Sequence, residues 1–371
     1  MKTWMRITST ACAAALFCAG FSGCDNHKRP SGAATPTPAP TAAATAAPVG
    51  NWVESAVLGP LAIEQSPAQL SDGSLMLYSK QTDGESTVAT GFSKFTSADG
   101  GKTWQSEAAV WGQDTPKNWH AFAIAPSGKV LLQRRSVVTE PKKHFAYDYF
   151  LCAPDGTQEQ LDFSGIENFN HLVANNVWFL REDLLAVAPY VYTTSESFDL
   201  KGNAWLYDLG TKQAAGPYIC HAAPLVGSQE TLSGKSSVYN EISVGAVGPD
   251  ATLYFSYRAN YATLPLSSSP TLAILGADGT ITDSGAAISA KDTSVATCDA
   301  EGNYYYVNED GLYCLAKGSA QPVLLIAGGS FAFTAESSYC SSICRTSDGD
   351  FLAAVVTGAG STLYRYHLDN A

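Results

Sequence analysis

Pro67-Ala-Gln-Leu-Ser-Asp-Gly-Ser-Leu-Met-Leu-Tyr-Ser79 is the stretch that decides the fold. A short run, 67–71, enters the turn Asp72-Gly73, and a second run leaves it with Leu75, Met76, Leu77 and Tyr78. Asp-Gly between two such runs is a strong hairpin signal, because the turn needs backbone angles that most side chains avoid. The same punctuation returns at Ser127-Gly128, Glu182-Asp183, Pro249-Asp250, Glu301-Gly302 and Asp348-Gly349. Counted on the second member of each pair, the spacings are 55, 55, 67, 52 and 47 residues. Units of this length, made of short strands and tight turns, are the sequence pattern of a β-propeller.

Each turn extends into a unit of four antiparallel strands. The first is expected at 67–71, 74–79, 91–97 and 103–110, and the second at 122–125, 130–138, 145–152 and 158–163. The third follows at 173–180, 184–191 and 204–207 with a weak outer segment near Tyr218, and the fourth at 241–247, 253–257, 272–275 and 281–288. The fifth spans 295–299, 304–307, 312–315 and 322–326. The sixth has only 339–345, 351–357 and 363–367 before the chain stops, while 51–58 is a strand without a home ahead of the first unit. Placing 51–58 in the sixth unit closes the ring and removes an exposed sheet edge. The expectation is therefore an all-β propeller of six blades, closed by its N-terminal strand. The long third interval leaves 219–238 as an insertion or as part of a seventh blade.

The chain carries 22 Lys and Arg against 34 Asp and Glu, a formal net charge of −12. An acidic chain of this kind is a poor partner for nucleic acid. Of nine cysteines, six remain once Cys12, Cys18 and Cys24 are set aside. Cys340 and Cys344 on one strand would stand about 13 Å apart, too far to bridge. Cys298 and Cys314 fall on the first and third strands of a blade, so free and mostly buried thiols are expected. No Cys/His cluster has zinc-ligand spacing, and no metal or cofactor site is expected.

The chain opens with Lys2 and Arg6, then the mostly apolar, uncharged run 7–21, then Phe21-Ser-Gly-Cys24. This resembles a bacterial lipoprotein signal, with Phe21 where an aliphatic residue is usual. The resemblance implies a signal peptide at 1–23 and a lipidated Cys24, and hence a membrane partner through the anchor on the extracytoplasmic face. An ordinary signal cut nearby, or an uncut anchor, are the alternatives. Residues 24–50 are rich in Pro, Ala and Thr, with Pro36, Pro38, Pro40 and Pro48 forbidding a helix. They read as a linker reaching on the order of 30 to 80 Å. Residues 51–371 form the propeller domain.

Within the first blade, Ser97-Ala-Asp99-Gly-Gly101-Lys-Thr103-Trp104 matches the Asp-box pattern Ser/Thr-x-Asp-x-Gly-x-Thr-Trp. The chain here resembles sialidase-like, BNR-repeat propellers over eight residues. In that family the box is structural and lies away from the active face, so Ser97, Asp99, Gly101, Thr103 and Trp104 are expected to hold the fold. The early Arg-Ile-Pro segment of sialidases has no counterpart before the first blade. No arginine triad, acid or Tyr–Glu pair transfers onto numbered residues. Hydrolase elbow, zinc-protease and phosphate-loop motifs are absent as well.

In a propeller the loops from strand two to strand three, and from blade to blade, share one face. Here they carry Trp119, His120, Arg134, His171, Tyr190, Tyr239, Glu241, Arg258 and Tyr261, which form the candidate ligand rim. Aromatic, amide and guanidinium groups together can stack on a sugar or grip a carboxylate. Tyr and Trp also fill blade seams, and Arg134 and Arg135 point to opposite faces, so one of the two at most enters a site. The reading is a non-catalytic surface lipoprotein that binds a protein, glycan or wall ligand. A glycoside-active enzyme using Glu241, or an assembly factor for a membrane complex, are the alternatives.

Overall fold

The computed structural model describes residues 52–61, 63, 65–82, 88–141, 144–167, 169–172, 176–191, 203–219, 242–257, 271–288, 295–327, 339–357 and 360–368. Signal, linker and Cys24 lie outside them, as do Tyr239, Glu241, Arg258, Tyr261 and the stretch 220–241.

The strands form six antiparallel sheets of four, one for each expected blade. Blade 1 holds β2 (Ala68–Gln69), β3 (Leu75–Gln81), β4 (Gly91–Ser97) and β5 (Gln105–Ala108). Blade 2 holds β6 (Trp119–Ile124), β7 (Val130–Val138), β8 (His144–Cys152) and β9 (Gln158–Leu161). Blade 3 holds β11 (Val177–Arg181), β12 (Leu184–Val187), β14 (Asn203–Asp208) and β15 (Gln213–Ile219). A two-stranded pair, β10 (Phe169–His171) with β13 (Tyr190–Val191), belongs to the same stretch of chain. Blade 4 holds β16 (Ile242–Gly248), β17 (Thr252–Tyr257), β18 (Thr271–Leu275) and β19 (Ile281–Ala287). Blade 5 holds β20 (Val295–Cys298), β21 (Tyr304–Asn308), β22 (Gly311–Leu315) and β23 (Val323–Ala327). Blade 6 holds β24 (Tyr339–Arg345), β25 (Phe351–Thr357), β26 (Gly360–Tyr366) and, as its fourth strand, β1 (Trp52–Gly59).

The turns do what their sequences predict. The N–H of Gly73 donates to the carbonyl of Leu70 at 2.9 Å, and that of Gly349 to Thr346 at 3.0 Å. Both glycines have positive φ, +85° and +88°, which L side chains rarely adopt. In blade 4, where glycine is missing from the turn, Asp250 takes the left-handed conformation itself. The outer strand of blade 3 is longer than its composition suggests. Gln213–Ile219 has one β-branched residue, and pairing with β14 rather than intrinsic propensity makes it a strand.

The second strand of a blade is sandwiched between neighbouring blades, and it opens on an apolar run such as Leu75–Tyr78 in blade 1 and Val130–Leu132 in blade 2. The second strand of blade 5, Tyr-Tyr-Tyr-Val-Asn, is buried along its whole length, whereas the outer strand of blade 1 is exposed along its own. The buried side chains of the described residues gather into six clusters, and each lies in a seam between two blades. Phe122, Leu131 and Tyr149 pack with Phe179 and Leu185 between blades 2 and 3. The decisive seam joins blade 6 to blade 1, where Leu58, Leu352 and Leu363 meet Leu75, Leu77 and Phe95. Six blades in an open row would share five seams; a sixth seam means a closed ring.

Closure is made by β1. It pairs antiparallel with β26 from Trp52↔Tyr366 to Gly59↔Ser361, with the Trp52 and Tyr366 rings 4.8 Å apart. The turn at 97–104 then clasps the closing strand. The Asp99 carboxylate accepts from the N–H of Lys102 and of Thr103, at 3.0 and 2.9 Å, and from the Thr103 hydroxyl at 2.6 Å. The indole N–H of Trp104 donates to the Ser55 hydroxyl of β1 at 2.8 Å, and that hydroxyl donates in turn to the Gly101 carbonyl. A Cβ on Gly101 would stand 2.7 Å from Leu352, so glycine is also a packing requirement here. Trp104 and Gly101 thus join this turn to blade 6, while Ser97, Asp99 and Thr103 hold the turn itself.

The five described cysteines, Cys152, Cys298, Cys314, Cys340 and Cys344, carry no disulfide. Burial pushes the Cys340 and Cys344 thiols up to about 12, which keeps them protonated and inert. Cys220 lies outside the described residues.

Candidate functional site

The first strands of all six blades surround an axial cavity of about 380 Å³. Its wall is mostly apolar, with Phe122, Val177, Trp178 and Val295 among the lining residues, and among the described residues Trp119, His120, Arg134 and His171 of the expected rim are not in it.

The described rim residues divide between two seams. Trp119 is buried against blade 1. Arg134 stands opposite it in the β6–β7 register, with its guanidinium 5.7 Å from the Trp119 ring and 5.2 Å from Phe150. The same guanidinium is paired with Asp148 at 2.8 Å. His120 places Nδ1 3.1 Å from the Lys80 ammonium of blade 1. His171 is on the other side of blade 2, stacked on Tyr147 with ring centres 4.8 Å apart. Burial pushes the His171 imidazole below its ordinary value. The backbone of Tyr190 pairs with His171 across β10 and β13, and its side chain is outside the described set. Arg135 lies over Phe145 at 4.9 Å, so the two adjacent arginines do part to opposite faces.

The larger concavity is an open groove of about 910 Å³ at the seam of blades 2 and 3. Tyr147, Tyr149, Phe163 and Phe169 supply its aromatic surfaces, and Asn170 and Lys212 are among its polar groups. The local fold explains the groove. β9 stops after four residues, and the chain turns away through 162–167. Asp162 stabilises that turn by accepting from the backbone and hydroxyl of Ser164, at 2.8 and 3.0 Å, which holds its carboxyl below the usual range. Beneath, the Gln133 amide donates to the Tyr149 hydroxyl at 3.1 Å, and the Leu172 N–H donates to the same oxygen at 2.8 Å. Burial pushes the Tyr149 phenol up, so it stays a neutral hydrogen-bonding group. Tyr149 therefore ties blade 2 to the start of blade 3 and fixes the groove floor.

The carboxylates of the groove are already committed. Asp148 is held by Arg134 and Asp162 by its turn. A general acid needs a carboxyl whose pKa is raised, and Asp162 moves the other way. Among the described residues no three His, Cys, Asp or Glu side chains are grouped to hold a metal ion. No helix among them is long and apolar enough to cross a membrane.

The rim expectation named His171, but not Tyr147, Asp148 or Lys212. The alternation Phe145-x-Tyr147-x-Tyr149 does place three aromatic rings on one strand face, which is a legible signal. The end of β9 is expected at 163 and falls at Leu161, where Asp162-Phe-Ser164-Gly165 supplies turn residues.

No protein-family description matches the chain, and no curated protein does either. Solved structures do match in chain path. An α-L-arabinanase from Penicillium chrysogenum is 13% identical over 86% of this chain and 98% of its own, with a TM-score of 0.47. A protein of unknown function from Dyadobacter fermentans is 12% identical over 85% and 98%, with a TM-score of 0.48. A virginiamycin B lyase from Staphylococcus aureus is 10% identical over 82% and 80%, with a TM-score of 0.40. At this distance none of them carries an activity over to this chain.

Proposed function

We propose that this chain is an extracytoplasmic lipoprotein whose propeller binds a macromolecular ligand without transforming it. In this reading residues 1–23 direct export, Cys24 carries the lipid, 24–50 are the stalk and 51–371 the binding head. The observation that supports binding most directly is the groove between blades 2 and 3, where aromatic rings stand beside amide, carboxylate and ammonium groups. Such a surface takes up a sugar ring or a peptide side chain by stacking and hydrogen bonds. Its carboxylates are engaged in structural bonds, which favours recognition over acid–base chemistry.

The test offers the purified chain a glycan array, soluble wall fragments and a peptide array. The expected result is saturable binding to one class, weakened about tenfold or more by Tyr147→Ala with Phe169→Ala, a loss in keeping with the removal of two stacking contacts. Fluorogenic sialosides and other glycosides are assayed alongside, with no turnover expected. Turnover that Glu241→Gln abolishes would replace this reading with the glycoside-active one. Recovery of one defined membrane complex by crosslinking in cells would favour the assembly factor.

A further inference from the structure

Blade 2 differs from its neighbours in the cover of its third strand. β8 pairs with β7 along all of its nine residues, from Val138↔His144 to Val130↔Cys152. β9 covers only Tyr149 to Cys152. In blades 3, 4, 5 and 6 the outer strand covers the third to within one residue of its ends. In blade 1 the Ala109 N–H extends the cover to the Phe92 carbonyl. Residues 144–148 of β8 therefore run beyond the end of their fourth strand.

The backbone alternation says which groups look outward there. Across the β8–β9 turn the N–H of Ala153 donates to the Thr157 carbonyl at 2.8 Å. Ala153, Leu151 and Tyr149 thus turn their backbone groups to β9, and the residues between them turn theirs to β7. Continued past β9, the alternation aims the N–H and C=O of Phe145 at the outer edge. The groove begins at this place, with Tyr149 and Leu161 among its lining. Arg135 stands opposite Tyr147 and Val137 opposite Phe145, so these four side chains share one face. Phe145 and Val137 are each 51% exposed. No carboxylate among the described residues pairs with the Arg135 guanidinium, whereas its neighbour Arg134 has Asp148.

We propose that an extended peptide completes blade 2, adding antiparallel to β8 where β9 stops. Its main chain pairs with the edge at Phe145, its apolar side chains pack on Phe145 and Tyr147, and an acidic side chain meets Arg135. Strand addition to an open sheet edge is a general mode of peptide recognition, in which main-chain bonds give affinity and alternate side chains give specificity. The inference rests on the groove being the ligand site and narrows the ligand to a protein segment with an acidic residue.

The probe is a fluorescent seven-residue peptide alternating valine and threonine and ending in two aspartates, titrated against the full mature chain by anisotropy. Saturable binding is expected. Phe145→Pro removes the outward N–H while leaving the bonds to β7, and Phe145→Ala keeps it. Phe145→Pro should bind about tenfold more weakly than Phe145→Ala, the worth of one or two main-chain hydrogen bonds. The same peptide N-methylated at alternate amides should lose about as much against the native protein, which decides the matter even where the proline variant folds poorly. Arg135→Gln should weaken binding about threefold, as expected for one partly exposed charge pair. Absence of saturable binding, or equal affinity of the proline and alanine variants and of the methylated peptide, overturns the proposal. Glycan or wall-fragment binding that Tyr147→Ala weakens and Phe145→Pro does not would keep the groove as a ligand site while removing strand addition.

Discussion

In blade 6 the fourth strand comes from the other end of the chain and covers its neighbour; in blade 2 the fourth strand stops after four residues. Both blades have three inner antiparallel strands and a glycine in the first turn, but β7 and β8 run nine residues where β25 and β26 run seven, and the strand at the outermost position covers one third strand and not the other. At blade 6 that position closes a ring, and Leu58 of the closing strand is 1% exposed. At blade 2 it leaves an edge and a groove. Fourth strands in this molecule are thus either sealing or displaying elements, and the two roles make separable demands on stability.

The largest effect expected from that contrast is removal of residues 52–59. It uncovers β26, empties Leu58 from the blade 6–blade 1 seam and leaves Trp104 without Ser55. Loss of Leu58 alone is worth about 2–5 kcal/mol. The truncated chain should melt far below the parent, and an unchanged melting temperature would break the account of closure. A smaller effect is expected from Tyr149→Phe, which takes away the hydroxyl that serves Gln133 and Leu172. Leaving those donors unsatisfied should cost about 1–3 kcal/mol by chemical denaturation. It should also weaken ligand capture by loosening the groove floor.

The smallest is a pH effect at His171. Burial lowers its folded pKa, so between that value and the unfolded value of about 6.5 the unfolded chain binds more protons. Stability from this group is complete above that window and falls as pH drops through it. His171→Phe keeps a ring on Tyr147 and should flatten the stability profile below about pH 6.5. A profile identical to that of the parent would show that the stack at β10 does not control the titration.

Most of the scaffold was legible. The paired turns located all six blades, because a hairpin that reverses in two residues needs Gly, Asp or Asn whatever the tertiary context. The homeless strand at 51–58 predicted its own partner by elimination, since a three-stranded sixth blade would have left an edge. Site geometry was legible only in part. Trp119, Arg134 and His171 share one end of the blades, as loop logic requires, but strand parity sends Trp119 and Arg134 to one seam and His171 to the other. The face taken by Trp119 relative to the end of β6 depends on the bulge between Ala121 and Ala123, which no local residue preference announces. The stop of β9 at Leu161 comes two residues before the expected end at 163, because the Asp162–Ser164 turn competes with continued pairing.

The claim on which the rest depends is that β1 is an integral strand of blade 6. Amide hydrogen exchange, followed peptide by peptide on the full chain, tests it most directly. Residues 52–59 are expected to be protected as strongly as 360–366 and to open together with them in one cooperative unit. Exchange of 52–59 at the rate of an unstructured chain, with 360–366 still protected, would contradict it.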